Sequence, residues 1–238
     1  MRLLIDRMAV VSMHGGLVLL AACNQSETIT DHMQEHFSQV EATRAAVIGG
    51  DLDAAREAAR WLSRHEATEG IPEGWGQHVV QMQLAAQRVV DANEIASAAA
   101  ATAEMGAICG GCHQGMDEGA QFTVVAPPPE EAGVVAHMLR HQWAAQRLWE
   151  GLVGPSEEAW SRGVAALAEA PLQPTESPEE VEELAGRVHE LGAAAGEATG
   201  FIDRAKVYGD LLTTCAQCHR LMDAGPGTRS RVPGTSGG

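Results

Sequence analysis

The sequence has few aromatic residues and few runs that would favour β-strands. Phe, Trp and Tyr together make up 4% of the 238 residues, whereas 45% of the residues are apolar. Most of the apolar residues are Ala, Val and Leu, and β-branched runs bounded by turn residues are scarce. This composition disfavours β-sheet and favours helices. We therefore predict an all-α protein.

Positive charge is also in short supply. The chain has 16 Lys and Arg against 32 Asp and Glu, which gives a formal net charge of −16. Such an acidic surface argues against nucleic acid as a partner and against direct binding to anionic lipid. It suits a basic protein partner, although acidity also serves solubility alone.

The five cysteines are not spaced like a disulfide framework. Two lie in Cys109-Gly110-Gly111-Cys112-His113 and two in Cys215-Ala216-Gln217-Cys218-His219, while Cys23 stands alone. Each pair is followed directly by a histidine, which points to a cofactor or metal site rather than to structural cross-links.

The start of the chain has the layout of an export signal. In residues 1–22, Arg2 and Arg7 precede an apolar stretch of about 15 residues, shorter than the roughly 20 that cross a bilayer. Leu20-Ala21-Ala22-Cys23 resembles the lipobox of bacterial lipoproteins. That resemblance implies cleavage before Cys23, acylation of Cys23 and a lipidated tether over 23–30. The alternative is an ordinary secretory signal with a chance cysteine. We expect no other membrane-spanning segment, and a location on the periplasmic side of a bacterial membrane.

The rest of the chain contains an internal repeat. His32-Met33-Gln34-Glu35-His36 recurs 105 residues later as His137-Met138-Leu139-Arg140-His141, and the two Cys-x-x-Cys-His motifs are 106 residues apart. A turn followed by a helix-capping residue, Asp51 or Ser156, also recurs. The sequence therefore predicts a tandem duplication of a unit of about 90 residues.

The repeat sets the expected boundaries. We predict one unit over 31–120, a proline-rich linker over 121–134, a second unit over 135–223 and a disordered tail over 224–238. Each unit is expected to be an up-down-up-down bundle of four helices. The predicted helices cover 31–48, 52–66, 75–91, 94–118, 136–152, 157–169, 178–195 and 200–222.

The two Cys-x-x-Cys-His motifs are typical of covalent haem attachment. Two cysteines three residues apart on a helix can form thioethers with the two haem vinyl groups, and the histidine that follows can bind the iron. A redox-active dithiol does not need that histidine, and a zinc site would need further ligands at its own spacing. We predict two haem c groups, attached at Cys109 and Cys112 and at Cys215 and Cys218. His113 and His219 are the expected proximal iron ligands.

With these motifs near the ends of their last helices, both units resemble the class II c-type cytochromes, the cytochrome c′ group. The resemblance implies a four-helix bundle in which the first helix covers the distal face of the haem. Each unit is shorter than is usual for that family.

The distal ligand is expected on the first helix, whose start should lie beside the end of the fourth. Apolar positions at helical spacing form a core stripe that includes His36 in the first unit and His141 in the second. A buried histidine needs a strong partner, so we predict these two as distal iron ligands. Met33 and Met138 are the alternatives on the same stripe. His32, His137, His78 and an open distal site remain open, whereas His189 is expected to lie too far along its helix.

A pair of six-coordinate haems favours membrane-tethered electron transfer to and from redox partner proteins, and no catalytic constellation accompanies the haems. We therefore predict that the protein is not an enzyme. The alternative is a gas-binding haem protein like the cytochromes c′; a dihaem peroxidase is disfavoured because those enzymes use another c-type fold.

Overall fold

A computed structural model describes residues 29–65, 74–116, 120, 122–129, 133–169 and 178–224. Within these ranges all regular secondary structure is helical, which confirms the all-α prediction. The helices found there are α1 (Ile29–Ile48), α2 (Leu52–Arg64), α3 (Gly76–Asp91), α4 (Ile95–Met116), α5 (Val134–Val153), α6 (Glu157–Leu167), α7 (Glu179–Glu197) and α8 (Gly200–Leu221).

The helix ends lie within two residues of the predicted positions. Capping fixes two of them. The Asp51 carboxylate accepts a hydrogen bond from the Ala54 amide at 2.9 Å, and the Ser156 hydroxyl accepts one from the Ala159 amide at 3.2 Å. Each cap satisfies an amide that has no partner within its helix. The repeated turn between first and second helices is therefore confirmed.

The core stripe of the first helix of each unit is largely buried. In α1 it buries Val40 and Val47, and in α5 it buries Leu148 and Leu152. Met33 and Met138, at the N-terminal end of each stripe, are only half-buried. The predicted stripe therefore faces the core over most of its length.

The most extensive helix contact joins α4 to α8, the last helices of the two units. Small residues make it possible. A Cβ added to Gly209 would lie 3.1 Å from the Ala100 Cα, and side chains on Gly106 and Gly110 would collide with Trp149 and Leu152 of α5. Because the helices that carry the motifs pack against the opposite unit, the division into two separate bundles stays a prediction.

A buried polar cluster also joins the units. The Arg44 guanidinium on α1 donates to the Tyr208 hydroxyl at 3.1 Å, to the Gln146 amide oxygen at 2.5 Å and to Glu41 at 2.7 Å. The Tyr208 hydroxyl in turn donates to the Ala145 carbonyl at 3.2 Å. Burial, partly offset by Arg44, raises the pKa of Tyr208 to about 12. The phenol is therefore a neutral donor that anchors α8 to α5 and α1.

One helix in the described part of the chain, α4, is long and apolar enough to cross a membrane by length and composition. Half of its most apolar window is buried, and it packs against α3, α8, α5 and α1. These contacts are those of a core helix.

The predicted segments around the two units are described only in part. Residues 1–22, Cys23 and most of the tether lie outside the described residues, and α1 already begins at Ile29. Residues 122–129 of the linker have no regular structure but pack on α5, where the Trp143 indole donates to the Val125 carbonyl at 3.0 Å. Of the tail, only Ala224 is described.

Candidate functional site

The first Cys-x-x-Cys-His motif occupies the last turns of α4, and the second occupies those of α8. All four cysteines are free, half-buried thiols. Burial, aided by the second cysteine of each motif, raises the pKa of Cys109 and of Cys215 to about 12. Redox-active dithiols depend on a lowered pKa. These thiols are therefore neutral and poorly suited to disulfide exchange, whereas an uncharged thioether suits such a site.

The histidine of each motif is held by a helix end. His113 Nδ1 lies 2.8 Å from the Val153 carbonyl oxygen, and His219 Nδ1 lies 2.9 Å from the Ile48 carbonyl oxygen. A carbonyl can only accept, so Nδ1 carries the proton and donates. Nε2 then keeps its lone pair, which is the state in which a histidine binds a metal ion.

Three histidines of the first unit converge near the start of α1. The His36 ring centroid lies 4.2 Å from that of His32 and 5.0 Å from that of His65, and His65 Nε2 is 3.3 Å from His32 Nδ1. Trp61 stacks on His65 at 3.9 Å. The ligand nitrogens of His32, His36 and His65 lie within 4.8 Å of one another. We call these three residues the first histidine group.

The second histidine group consists of His137 and His141 on α5 and His189 on α7. The His141 ring centroid lies 4.1 Å from that of His137 and 5.6 Å from that of His189. Their ligand nitrogens also lie within 4.8 Å of one another. The two groups thus share two equivalent histidines and differ in the origin of the third.

Burial keeps His36 and His141 neutral, and several ring nitrogens of the two groups have no hydrogen-bond partner. Burial and then the neighbouring histidines lower the pKa of His36 to about 4 and that of His141 to about 3. The Nε2 atoms of His36, His137 and His141 are buried without a hydrogen-bond partner, as are both ring nitrogens of His189. A buried polar atom without a partner costs about 1–3 kcal/mol. Neutral imidazoles with unsatisfied lone pairs are the donor set that a metal ion or haem iron would take.

Each group lies at about the height of its own motif. The Gln83 amide of α3 donates to the His65 carbonyl, and Arg88, five residues on, pairs with Glu104 of the antiparallel α4. Cys109 lies five residues beyond Glu104, towards the end of α4. At about 1.5 Å per residue in both helices, the first group is therefore level with the first motif.

In the second unit, a cleft between α7 and α8 relates the height of the second histidine group to that of the second motif. The cleft has a volume of about 570 Å³. Arg187 and Leu184 line it from α7, and Gln217 and Arg220 line it from α8. His189 lies two residues beyond Arg187, and Gln217 lies inside the second motif. The cleft places the first half of α7, as far as Arg187, beside the last turns of α8. His189, which the sequence analysis set aside, joins His137 and His141 in the second histidine group.

The other candidate residues are less central. His78 is half-buried in the first turn of α3 and belongs to neither group of described residues. The Cys112 thiol donates to Met116 Sδ at 3.7 Å, so Met116 packs along the motif itself. Met33 and Met138 each adjoin a histidine of a group in sequence, and nothing in their burial favours them over His36 and His141.

Sequence reasoning missed His65 and did not place His189 in the group that contains His141. The signal that could have found His65 is its position directly after α2, because the end of the second helix of an antiparallel pair returns to the start of the first. Its neighbour Trp61, one turn earlier, points to the same place.

Comparison with known proteins gives no match: no family model, no curated protein and no solved structure is similar to this chain.

Proposed function

We propose that this protein is a dihaem c-type cytochrome that transfers electrons while tethered to the periplasmic side of a bacterial membrane through a lipid on Cys23. One observation carries the proposal. In both units the histidine that follows two free cysteines has its Nδ1 on a helix-terminal carbonyl, so that Nε2 is available to an iron. The arrangement is the same at both sites, as a duplicated cofactor site requires.

The residues fit haem c on both sides of the iron. Cys109 and Cys112, or Cys215 and Cys218, would hold the porphyrin covalently, with His113 or His219 as the proximal ligand. The unsatisfied Nε2 atoms of His36 and His141 would supply the distal ligand. Coordination would satisfy buried lone pairs that otherwise cost stability. A bound haem supplies a one-electron couple, and these residues would attach it and ligate its iron.

If imidazoles held each iron from both sides, electron transfer would be favoured over gas binding, because an occupied sixth position would leave no vacancy for NO or CO. The alternative function, a cytochrome c′-like gas sensor or carrier, would need an apolar distal face. The buried histidine groups argue against it. Basic redox proteins are the partners that suit a chain with a net charge of −16.

The proposal is tested by expressing the full chain in a host with a c-type haem maturation system. Denaturing electrophoresis with haem staining, together with intact mass, should show two covalently bound haems. The Cys109→Ala/Cys112→Ala and Cys215→Ala/Cys218→Ala variants should each retain one. A protein that matures without covalent haem would overturn the proposal. If the ferric protein shows only a high-spin spectrum while His36 and His141 are intact, and if that spectrum changes when NO is added, the gas-binding alternative is favoured.

A further inference from the structure

We infer that the proximal histidine of each haem is positioned by the opposite unit: the end of α1 orients His219, and the end of α5 orients His113. The inference rests on the proposed function. It adds that a backbone carbonyl of the opposite unit influences the redox equilibrium of each iron. Both hydrogen bonds cross the boundary between the units, since Ile48 belongs to the first and Val153 to the second.

The carbonyls concerned are ones that a helix leaves without an internal partner. Ile48 is the last residue of α1 and Val153 the last of α5. The final carbonyls of a helix lack an intrahelical donor and stand at the negative end of its dipole. An imidazole N–H is therefore a favourable cap, and the helix end is a strong acceptor for it.

The turns that follow these helices also pack close to the opposite motif, one against the motif itself and one against residues beyond it. Gly50 has a φ of +71°, and a Cβ there would lie 2.8 Å from Arg220 Cγ and 3.3 Å from the Ala216 carbonyl oxygen. Arg220 directly follows His219, and Ala216 lies inside the second motif. At the equivalent turn a Cβ on Gly154 would lie 2.6 Å from Phe122, which follows the first motif. The first turn is thus fitted to the second motif, and the second turn is fitted to residues that follow the first motif in the chain.

The expected consequence is electronic as well as geometric. A proximal imidazole that donates strongly from Nδ1 is a more basic ligand at Nε2, which favours the ferric state. Weakening the bond should therefore shift the haem towards the ferrous state. One hydrogen bond contributes about 1 kcal/mol, which corresponds to roughly a fivefold change in the ferric-to-ferrous ratio at a fixed potential.

The first experiment is potentiometry of the full dihaem protein carrying Gly50→Ala. We expect the ferric-to-ferrous ratio of the second haem to fall by roughly threefold to tenfold, the scale of one hydrogen bond, and that of the first haem to stay unchanged. The matched control is Gly200→Ala, because Gly200 has a φ of +70° but no neighbour within 4 Å of an added Cβ. The single-haem cysteine variants assign each step of the titration.

The reciprocal arm uses Gly154→Ala, which should move the first haem and spare the second. Shifts confined to the haem of the mutated unit, or shifts no larger than with Gly200→Ala, would overturn the inference while leaving the dihaem proposal intact. Absence of covalent haem from the wild-type protein would overturn both.

A measurement on the wild-type protein covers the case in which the glycine variants do not fold. In the reduced protein, proton NMR should show slowly exchanging Nδ1 protons on both proximal histidines. Their nuclear Overhauser contacts should run from His219 to Ile48 and Gly49, and from His113 to Val153 and Gly154. Contacts confined to each histidine's own unit would contradict the crossed arrangement.

Discussion

The two units each bring three histidines together, but the third histidine has a different origin in each unit. Both place two histidines one turn apart at the start of the first helix, His32 and His36 or His137 and His141. The third histidine comes from the end of α2 in one unit and from the middle of α7 in the other. A duplication alone would have copied one solution twice. The two groups therefore have the same number of imidazoles although their third members come from different helices.

The units also differ where they meet. Tyr208 of α8 accepts a hydrogen bond from Arg44 of the first unit, whereas its counterpart on α4, Thr102, bonds only within its own helix, to the Ala98 carbonyl at 2.8 Å. Trp149, in the position equivalent to Arg44, stacks on Tyr208 at 5.5 Å. The interface is therefore asymmetric in its polar groups although the helices around it correspond.

The largest expected effect tests whether His36 and His141 have the same role as distal ligands in their two units. If the proposed haem ligation is right, His36→Ala and His141→Ala should each convert one of two low-spin haems to high spin, because each would remove a proposed distal imidazole ligand. Low-temperature EPR of the ferric protein should then lose about half of its low-spin signal, as expected for one of two equivalent sites. If either variant keeps both low-spin signals, the mutated histidine is not the distal ligand, and Met33 or Met138 becomes the candidate in that unit.

The next prediction concerns the interface. Tyr208→Phe should lower the free energy of unfolding by about 1.5–3 kcal/mol, because it removes a buried hydrogen bond to a charged group. Thr102→Val, its counterpart, should cost less than about 1.5 kcal/mol because the lost bond is neutral and local. Chemical denaturation followed by circular dichroism measures both. Equal losses would mean that the two sides of the interface contribute alike.

The third histidines should differ in how they affect stability. His65→Ala removes a hydrogen bond to His32 and a stacked ring, and should destabilise the protein by about 1 kcal/mol. His189→Leu removes two buried ring nitrogens that have no partner, so it should be neutral or stabilising. Thermal unfolding of the two variants compares them directly. A strongly destabilised His189→Leu protein would show that His189 bonds to a group that haem attachment brings in.

The smallest expected effect concerns a feature on which the units agree. Asp51→Ala and Ser156→Ala each remove a helix N-cap and should each cost about 1 kcal/mol. The control is Asp53→Ala, whose carboxylate is 92% exposed in its ion pair with Arg56 and should contribute little. Denaturant titration should place both cap variants below the control. A cap variant that matches Asp53→Ala would show that its turn is held by other contacts.

Local features of the fold followed from the sequence, whereas the crossed contacts did not. Helix ends, the caps at Asp51 and Ser156 and the buried stripe depend on neighbours within a few residues. The packing of α4 on α8 depends on residues about 100 apart. Its one local sign is the pairing of small residues, since a Cβ added to Gly209 of α8 would lie 3.1 Å from the Ala100 Cα of α4.

The third histidines were hard to predict for a related reason. The start of α7 was predicted to within one residue, but the height of His189 depends on the axial offset at which α7 packs against α8. No periodicity within α7 reveals that offset. The pairing of His36 with His113 and of His141 with His219 across a haem stays a prediction, supported by the common height of each group and its motif.

The crossed bonds from His219 to Ile48 and from His113 to Val153 have the pairing of an isologous dimer interface, in which residue i meets j and j meets i. Here one chain provides both halves. The linker that joins them raises their effective concentration for each other and need not set their geometry. The protein thus has the contact pattern of a dimer fused into one polypeptide, in which each half supplies the hydrogen-bond acceptor for the motif histidine of the other.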